Sequence, residues 1–124
     1  MKYVVDTCGW IEWLTEGALC DAYEPYLKNP EKLIIPVIIQ YELYKWVSRT
    51  ISETKAYEII AVTQQGTIDV LDTSLGLMAA DLSLEHNLAM ADALVYASAL
   101  KHKVSLVTSD KHFSGLPHVE YIKK

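Results

Sequence analysis

Short apolar runs alternate along the chain with longer stretches in which apolar residues recur every three or four positions. Lys2-Tyr3-Val4-Val5-Asp6 reads as a short strand ending in an acid. Residues 8–14 and 18–27 read as helices, separated by Gly17 and followed by Asn29-Pro30. Leu33-Ile34-Ile35 reads as a buried strand closed by Pro36, which suits the first turn of a helix over about 37–49. In that helix Ile39, Leu43, Trp46 and Val47 form one apolar stripe. Ser52 caps a further helix through Gln64, and Gly66 breaks the chain before a strand at 67–71. Asp72 or Thr73 caps a helix to about Asn87, with Leu75, Met78, Ala79 and Leu82 facing inward. An Ala-rich helix over 90–102 and strands at 104–107 and 119–122 complete the pattern.

Five strands interleaved with helices predict an α/β fold with a mainly parallel sheet covered on both faces. No repeat, low-complexity stretch or long linker divides the 124 residues, so one domain over 1–124 is expected. Sites in such sheets form beyond the carboxyl ends of the strands. Asp6 ends the first strand and Asp110 lies just past the strand at 104–107, so both are candidates for a shared crevice.

Composition narrows the class. With 51% hydrophobic and 22% charged residues, and a mean hydropathy of +0.11, the chain is not of the disordered type. The longest charge-free run, 59–68, is half the ~20 apolar residues of a membrane span, so no membrane segment is expected. Asp6 and Glu12 interrupt the apolar run after Met1 and Lys2, so no signal peptide is expected either. Cys8 and Cys20 do not make a disulfide framework. They read as a small core residue and a helix residue in a reducing, cytoplasmic setting. A net charge of −5 argues against a nucleic-acid partner, but the charge is unevenly distributed. Between Arg49 and Lys101 the only basic residue is Lys55, against seven acids. Nearly all positive charge falls in 28–55 and 101–124, which leaves room for a basic rim.

There is no Gly-rich phosphate loop, nucleophile elbow or HExxH motif. The four histidines and two cysteines show no zinc-ligand spacing, and His112 reads as a surface-loop residue. Four acids stand where an acid is locally odd. Asp6 ends an apolar strand, Glu42 sits beside an apolar stripe, Asp92 begins the Ala-rich helix, and Asp110 follows a buried strand. Each has a bland reading: Asp6 as a helix cap, Glu42 paired with Lys45, Asp92 as a helix-terminal acid, Asp110 as a turn residue. Together they describe carboxylates converging at one sheet edge, which repel unless something positive lies between them. Oxygen-only clusters bind hard divalent cations, and Mg²⁺ or Mn²⁺ fits better than zinc.

Four segments carry a family resemblance. Val4-Val5-Asp6-Thr7-Cys8-Gly9-Trp10-Ile11-Glu12, Tyr41-Glu42-Leu43, Met90-Ala91-Asp92-Ala93-Leu94 and Leu106-Val107-Thr108-Ser109-Asp110-Lys111-His112-Phe113 resemble the PIN-domain nucleases. More narrowly, they resemble the VapC toxins of type II toxin–antitoxin systems. The likeness covers essentially the whole chain, with the acids in family order. It implies a PIN-like three-layer α/β/α fold with a mainly parallel five-stranded sheet. It also implies a Mg²⁺- or Mn²⁺-dependent endoribonuclease that leaves a 5′-phosphate and a 3′-hydroxyl. A cognate VapB-like antitoxin would inhibit it, and family members commonly form homodimers. By motif match Asp6, Glu42, Asp92 and Asp110 form the acidic catalytic site, with Thr7 and Thr108 as neighbouring polar residues. Asp6, Asp92 and Asp110 are the expected metal ligands; Glu42 either ligates a metal or positions the attacking water. Two positions depart from the family pattern: Ala89 replaces a common proline, and His112 stands where an acid is common.

Ile38, Glu42, Lys45 and Arg49 recur at four, three and four residues, along one stripe of the helix at 37–49. Lys45 and Arg49 are therefore candidate RNA phosphate contacts, the alternative being a solvated face with a Glu42–Lys45 pair. A PIN-fold RNA-binding or RNA-processing module outside a toxin–antitoxin pair is the main rival. A receiver-like signalling domain is disfavoured: Asp6 is followed by Thr7 and Cys8, and no mid-chain strand is expected to end in an isolated buried Asp.

Overall fold

The computed structural model describes residues 1–124. Its elements are β1 (Tyr3–Val5), α1 (Thr7–Leu14), α2 (Cys20–Leu27), β2 (Ile34–Pro36), α3 (Val37–Thr50), α4 (Glu53–Thr63), β3 (Thr67–Asp69), α5 (Thr73–His86), α6 (Met90–Lys101), β4 (Ser105–Thr108) and β5 (Val119–Tyr121). Short 3-10 turns at Pro30–Lys32 and Lys111–Phe113 lead into β2 and follow β4. Strand β1 pairs with β4, β4 with β5, and β2 with β3, all parallel. The two ladders meet at one parallel bridge between Tyr3 and Leu33, which gives the order β3-β2-β1-β4-β5. This is the expected five-stranded parallel sheet, with a weak seam between β1 and β2.

The short strands are apolar because they are covered on both faces: Val4, Ile35, Leu106 and Val107 are at most 1% exposed. Helix α6 is buried through Ala93, Leu94, Val95, Tyr96, Ala97, Ser98 and Ala99, so its small residues serve close packing. Helix α3 buries Ile39, Leu43 and Val47; Trp46 packs on the core edge.

Local chemistry sets the element ends. Asp6, Ser52 and Asp72 each accept a backbone N–H at the start of α1, α4 and α5. The choice between Asp72 and Thr73 thus falls to Asp72. Helix α2 begins at Cys20 rather than at 18 because residues 17–19 form a turn held by Glu12, whose Oε2 accepts the Leu19 N–H at 3.1 Å. Gly17 leaves the room for that carboxylate, which a Cβ would fill.

Two expectations are corrected. Strand β3 stops at Asp69 rather than at Leu71, and that residue is a buried acid, 4% exposed. It is not isolated: the Ser98 hydroxyl donates to Oδ2 at 2.6 Å, and Lys101 Nζ lies 3.0 Å from Oδ1. Cys8 is only half-buried rather than a core residue, with Sγ 3.5 Å from Ser109 Oγ and 3.6 Å from Thr108 Oγ1. The first turn of α1 faces the polar end of the sheet, not its centre. Cys20 lies on α2 as expected.

Candidate active site

The β1–β4 register pairs Val5 with Val107, and the Asp6 N–H donates to the Val107 carbonyl at 3.0 Å. The ladder therefore sets Asp6 beside Thr108. The Thr108 hydroxyl donates to Asp6 Oδ2 at 2.8 Å and accepts from the Asp110 N–H at 3.0 Å. Thr7 forms the matching link on the other side. Its N–H donates to Asp6 Oδ1 at 2.9 Å, and its hydroxyl donates to Glu42 Oε1 at 2.7 Å. Two threonines thus stitch together three of the acids, from β1, α3 and the loop after β4.

Asp92 enters from the first turn of α6. Its Oδ2 lies 3.8 Å from His112 Nδ1, which is also 3.3 Å from Asp110 Oδ1. Donor atoms of Asp92, Asp110 and His112 all lie within 4.8 Å of one another. The acids also feel one another electrostatically. Burial pushes the Asp6 carboxyl up to about 6; the charges of Asp92 and Glu42 add to this, while the Thr108 and Thr7 hydrogen bonds oppose it. Burial likewise raises Asp92, reinforced by Asp110 and Glu42 and opposed by His112. The structure therefore draws all four predicted acids to one end of the sheet. Asp92 and Asp110 form the tighter pair, and Asp6 and Glu42 are joined through Thr7.

Behind Asp6 and Asp110 the buried Tyr23 hydroxyl donates to Ser109 Oγ at 3.0 Å. Gly9 makes that approach possible, since a Cβ there would collide with the Tyr23 ring. Lys45 and Arg49 line a groove of about 260 Å³ that begins at Thr7 and Glu42 and passes Tyr41 and Trp46. The Glu42–Lys45 pair is replaced: Glu42 takes the Thr7 hydroxyl, and Lys45 Nζ sits 5.7 Å from the centre of the Tyr41 ring.

His112 and Tyr23 were not legible as site residues. An exposed turn histidine and an amphipathic-helix tyrosine carry no local signal; only the missing acid at 112 marked the position. His112 lies on an exposed turn, as expected of a surface-loop residue, and there also faces two of the four acids.

A parallel sheet with acids converging at the carboxyl ends of β1 and β4 and on the flanking α3 and α6 defines a carboxylate-site α/β fold. The sequence profile of the PIN domain matches residues 3–119, and the chain belongs to the PIN-domain family. Among curated proteins no sequence relative matches. The fold is similar to that of a toxin–antitoxin complex from Klebsiella pneumoniae, at 21% identity and a TM-score of 0.82, over 99% of this chain and 100% of the other. A second similar structure is Mycobacterium tuberculosis VapC20, described as a sarcin–ricin loop cleaving toxin (17% identity, TM-score 0.79, 99% and 100% covered). A third is VapBC2 from Rickettsia felis bound to a promoter DNA fragment (18%, 0.76, 99% and 98%). No helix is long and apolar enough to cross a membrane.

Proposed function

We propose that the chain is a divalent-metal-dependent endoribonuclease and the toxin of a VapBC-type pair, a single PIN domain over 1–124 acting in the cytoplasm. The observation that carries this reading is the convergence of Asp6, Glu42, Asp92 and Asp110, where burial raises the Asp6 carboxyl to about 6 and the charges of Asp92 and Glu42 add to the rise. Carboxylate oxygens are the donors that Mg²⁺ and Mn²⁺ take, and a pocket of mutually repelling acids fits such an ion. Asp92 and Asp110 would hold it, with Asp6 completing the set. When bound, the ion would supply Lewis-acid activation of water and charge neutralisation at the scissile phosphate.

The chain's own residues do the rest. Thr7 and Thr108 fix the Asp6 carboxylate through both oxygens. Thr7 also orients Glu42, which would bind an ion or hold the attacking water. Lys45 and Arg49 would take backbone phosphates along the groove beside Glu42. The toxin–antitoxin neighbours support a VapB-like antitoxin as partner, and a homodimer is proposed from the family resemblance.

The test is direct. Purified protein freed of any antitoxin should cleave RNA with Mn²⁺ or Mg²⁺, leave 5′-phosphate ends, and stop with EDTA. Cleavage that survives both EDTA and Asp92→Asn overturns the reading.

A further inference from the structure

His112 sits on a turn fixed at both ends. The Asp110 carboxylate accepts its N–H at 2.9 Å, and the next residue, Phe113, is fully buried against the Tyr96 ring of α6, 6.0 Å between centres. Helix α6 also carries Asp92, so one packing contact sets the imidazole against both acids. Its Nδ1 lies 3.3 Å from Asp110 Oδ1 and 3.8 Å from Asp92 Oδ2. Ligands 2.0–2.2 Å from one ion stand about 3 Å apart when adjacent and about 4.2 Å apart when opposite. Three donors that all lie within 4.8 Å of one another suit a shared ion with small side-chain adjustments.

Resting on the metal-site reading above, we propose that His112 is a further protein ligand of the cation held by Asp92 and Asp110. An imidazole nitrogen changes which ion the site prefers. Mg²⁺ takes oxygen donors almost exclusively, whereas nitrogen ligation favours Mn²⁺ and the later first-row ions. Where the family resemblance places an acid, this chain trades a hard oxygen for a borderline nitrogen. The site therefore discriminates against Mg²⁺ and for Mn²⁺. The competing role for His112 is a built-in cation that neutralises the two carboxylates and must be displaced by metal. The two roles predict opposite effects of removing it.

The experiment titrates the full chain, without RNA, with Mn²⁺ and separately with Mg²⁺ by calorimetry, using wild type, His112→Ala and His112→Asp. His112 is mostly exposed, its side chain at 67%, so neither variant threatens folding. His112→Ala should lose about tenfold or more in Mn²⁺ affinity and change Mg²⁺ affinity by less than about twofold. His112→Asp should recover Mg²⁺ binding above wild type. Pulsed electron paramagnetic resonance of the Mn²⁺-loaded wild type should show a nitrogen coupling that His112→Ala lacks. Unchanged or tighter Mn²⁺ binding by His112→Ala, no nitrogen coupling, or no Mn²⁺ binding by wild type each overturns the assignment. A protein that binds Mn²⁺ through nitrogen but cleaves no RNA overturns the nuclease reading alone. An active nuclease without the coupling overturns the His112 assignment alone.

Discussion

The Thr7 hydroxyl donates to Glu42 Oε1 at 2.7 Å, tying the first turn of α1 to the middle of α3 across 35 residues of chain. The same residue offers its N–H to Asp6, so one threonine orients two acids from different elements. Thr7→Val keeps the shape and the N–H but frees the Glu42 carboxylate. A hydrogen bond to a charged group is worth ~1.5–3 kcal/mol, so RNA cleavage should fall about ten- to a hundredfold. Mn²⁺ binding to Asp92 and Asp110 should change little. Single-turnover kinetics alongside metal titration will separate the two effects.

The Asp6 carboxyl, raised from the ordinary 3.8 to about 6, makes the metal-free protein less stable as pH rises. Well below pH 4 the group is protonated whether the chain is folded or not, and no cost exists. Between pH 4 and 6 the unfolded chain ionises first, and the cost grows to about 3 kcal/mol. Asp69 acts oppositely. Burial alone would raise its carboxyl, but Ser98, Lys101 and the nearby His102 outweigh this and lower it, so its contribution is lost only on acidification below pH 4. Thermal melts of wild type and Asp6→Asn without metal should diverge through the pH 4–6 window. The variant should melt higher at pH 7, and parallel curves would contradict the assignment.

Bound metal should offset part of that cost. An ion at about five times its dissociation constant stabilises the folded state by roughly 1 kcal/mol, a shift of a few degrees. Wild type should gain this with Mn²⁺, while Asp92→Asn should gain much less. Equal shifts in the two proteins would remove Asp92 from the ligand set.

Lys45 and Arg49 lie on the exposed face of α3, beyond Glu42. Replacing both with Gln should weaken RNA binding and flatten its salt dependence by about one to two units of logarithmic slope. The comparison is best made in the Asp92→Asn background, where the RNA stays intact. An unaltered slope would leave this face merely solvated.

Asp69 stabilises without serving the site. Asp69→Ala leaves the buried Ser98 hydroxyl without its acceptor, and leaves Lys101, which still reaches water, without its partner. A loss of about 2 kcal/mol is expected, several degrees of melting temperature, with Mn²⁺ affinity unchanged. Parallel melts and metal titrations will check it.

The acids of the site were legible as a set, because each has a bland local use but all four fall toward one edge of the predicted sheet. Asp6 follows Val4-Val5, and Glu42 stands beside the stripe of Ile39 and Leu43. Asp69 follows Ile68 in the same way, yet its role is structural. The difference lies in its partners, Ser98 and Lys101, which α6 brings across some thirty residues of sequence. His112 was read as a surface-loop residue and a departure from the family pattern, because its place beside Asp92 and Asp110 depends on where Phe113 anchors the turn. The strand and helix order was readable throughout from apolar periodicity. The seam between β1 and β2 was not, since ladder length depends on how two strands meet rather than on either strand's composition.

That seam gives the site two mechanical halves. Asp6 and the turn bearing Asp110 are spaced by a continuous backbone ladder, a rigid ruler that side-chain changes hardly stretch. Glu42 is carried by α3 behind β2, on the far side of a single-bridge joint, so its distance from the other acids is set by packed side chains. The spacing between Asp6 and Asp110 is thus gauged by peptide geometry. The reach of Glu42, beside the groove, is gauged by core volume, and a substitution at buried Ile35 or Leu43 would reset it without touching any acid.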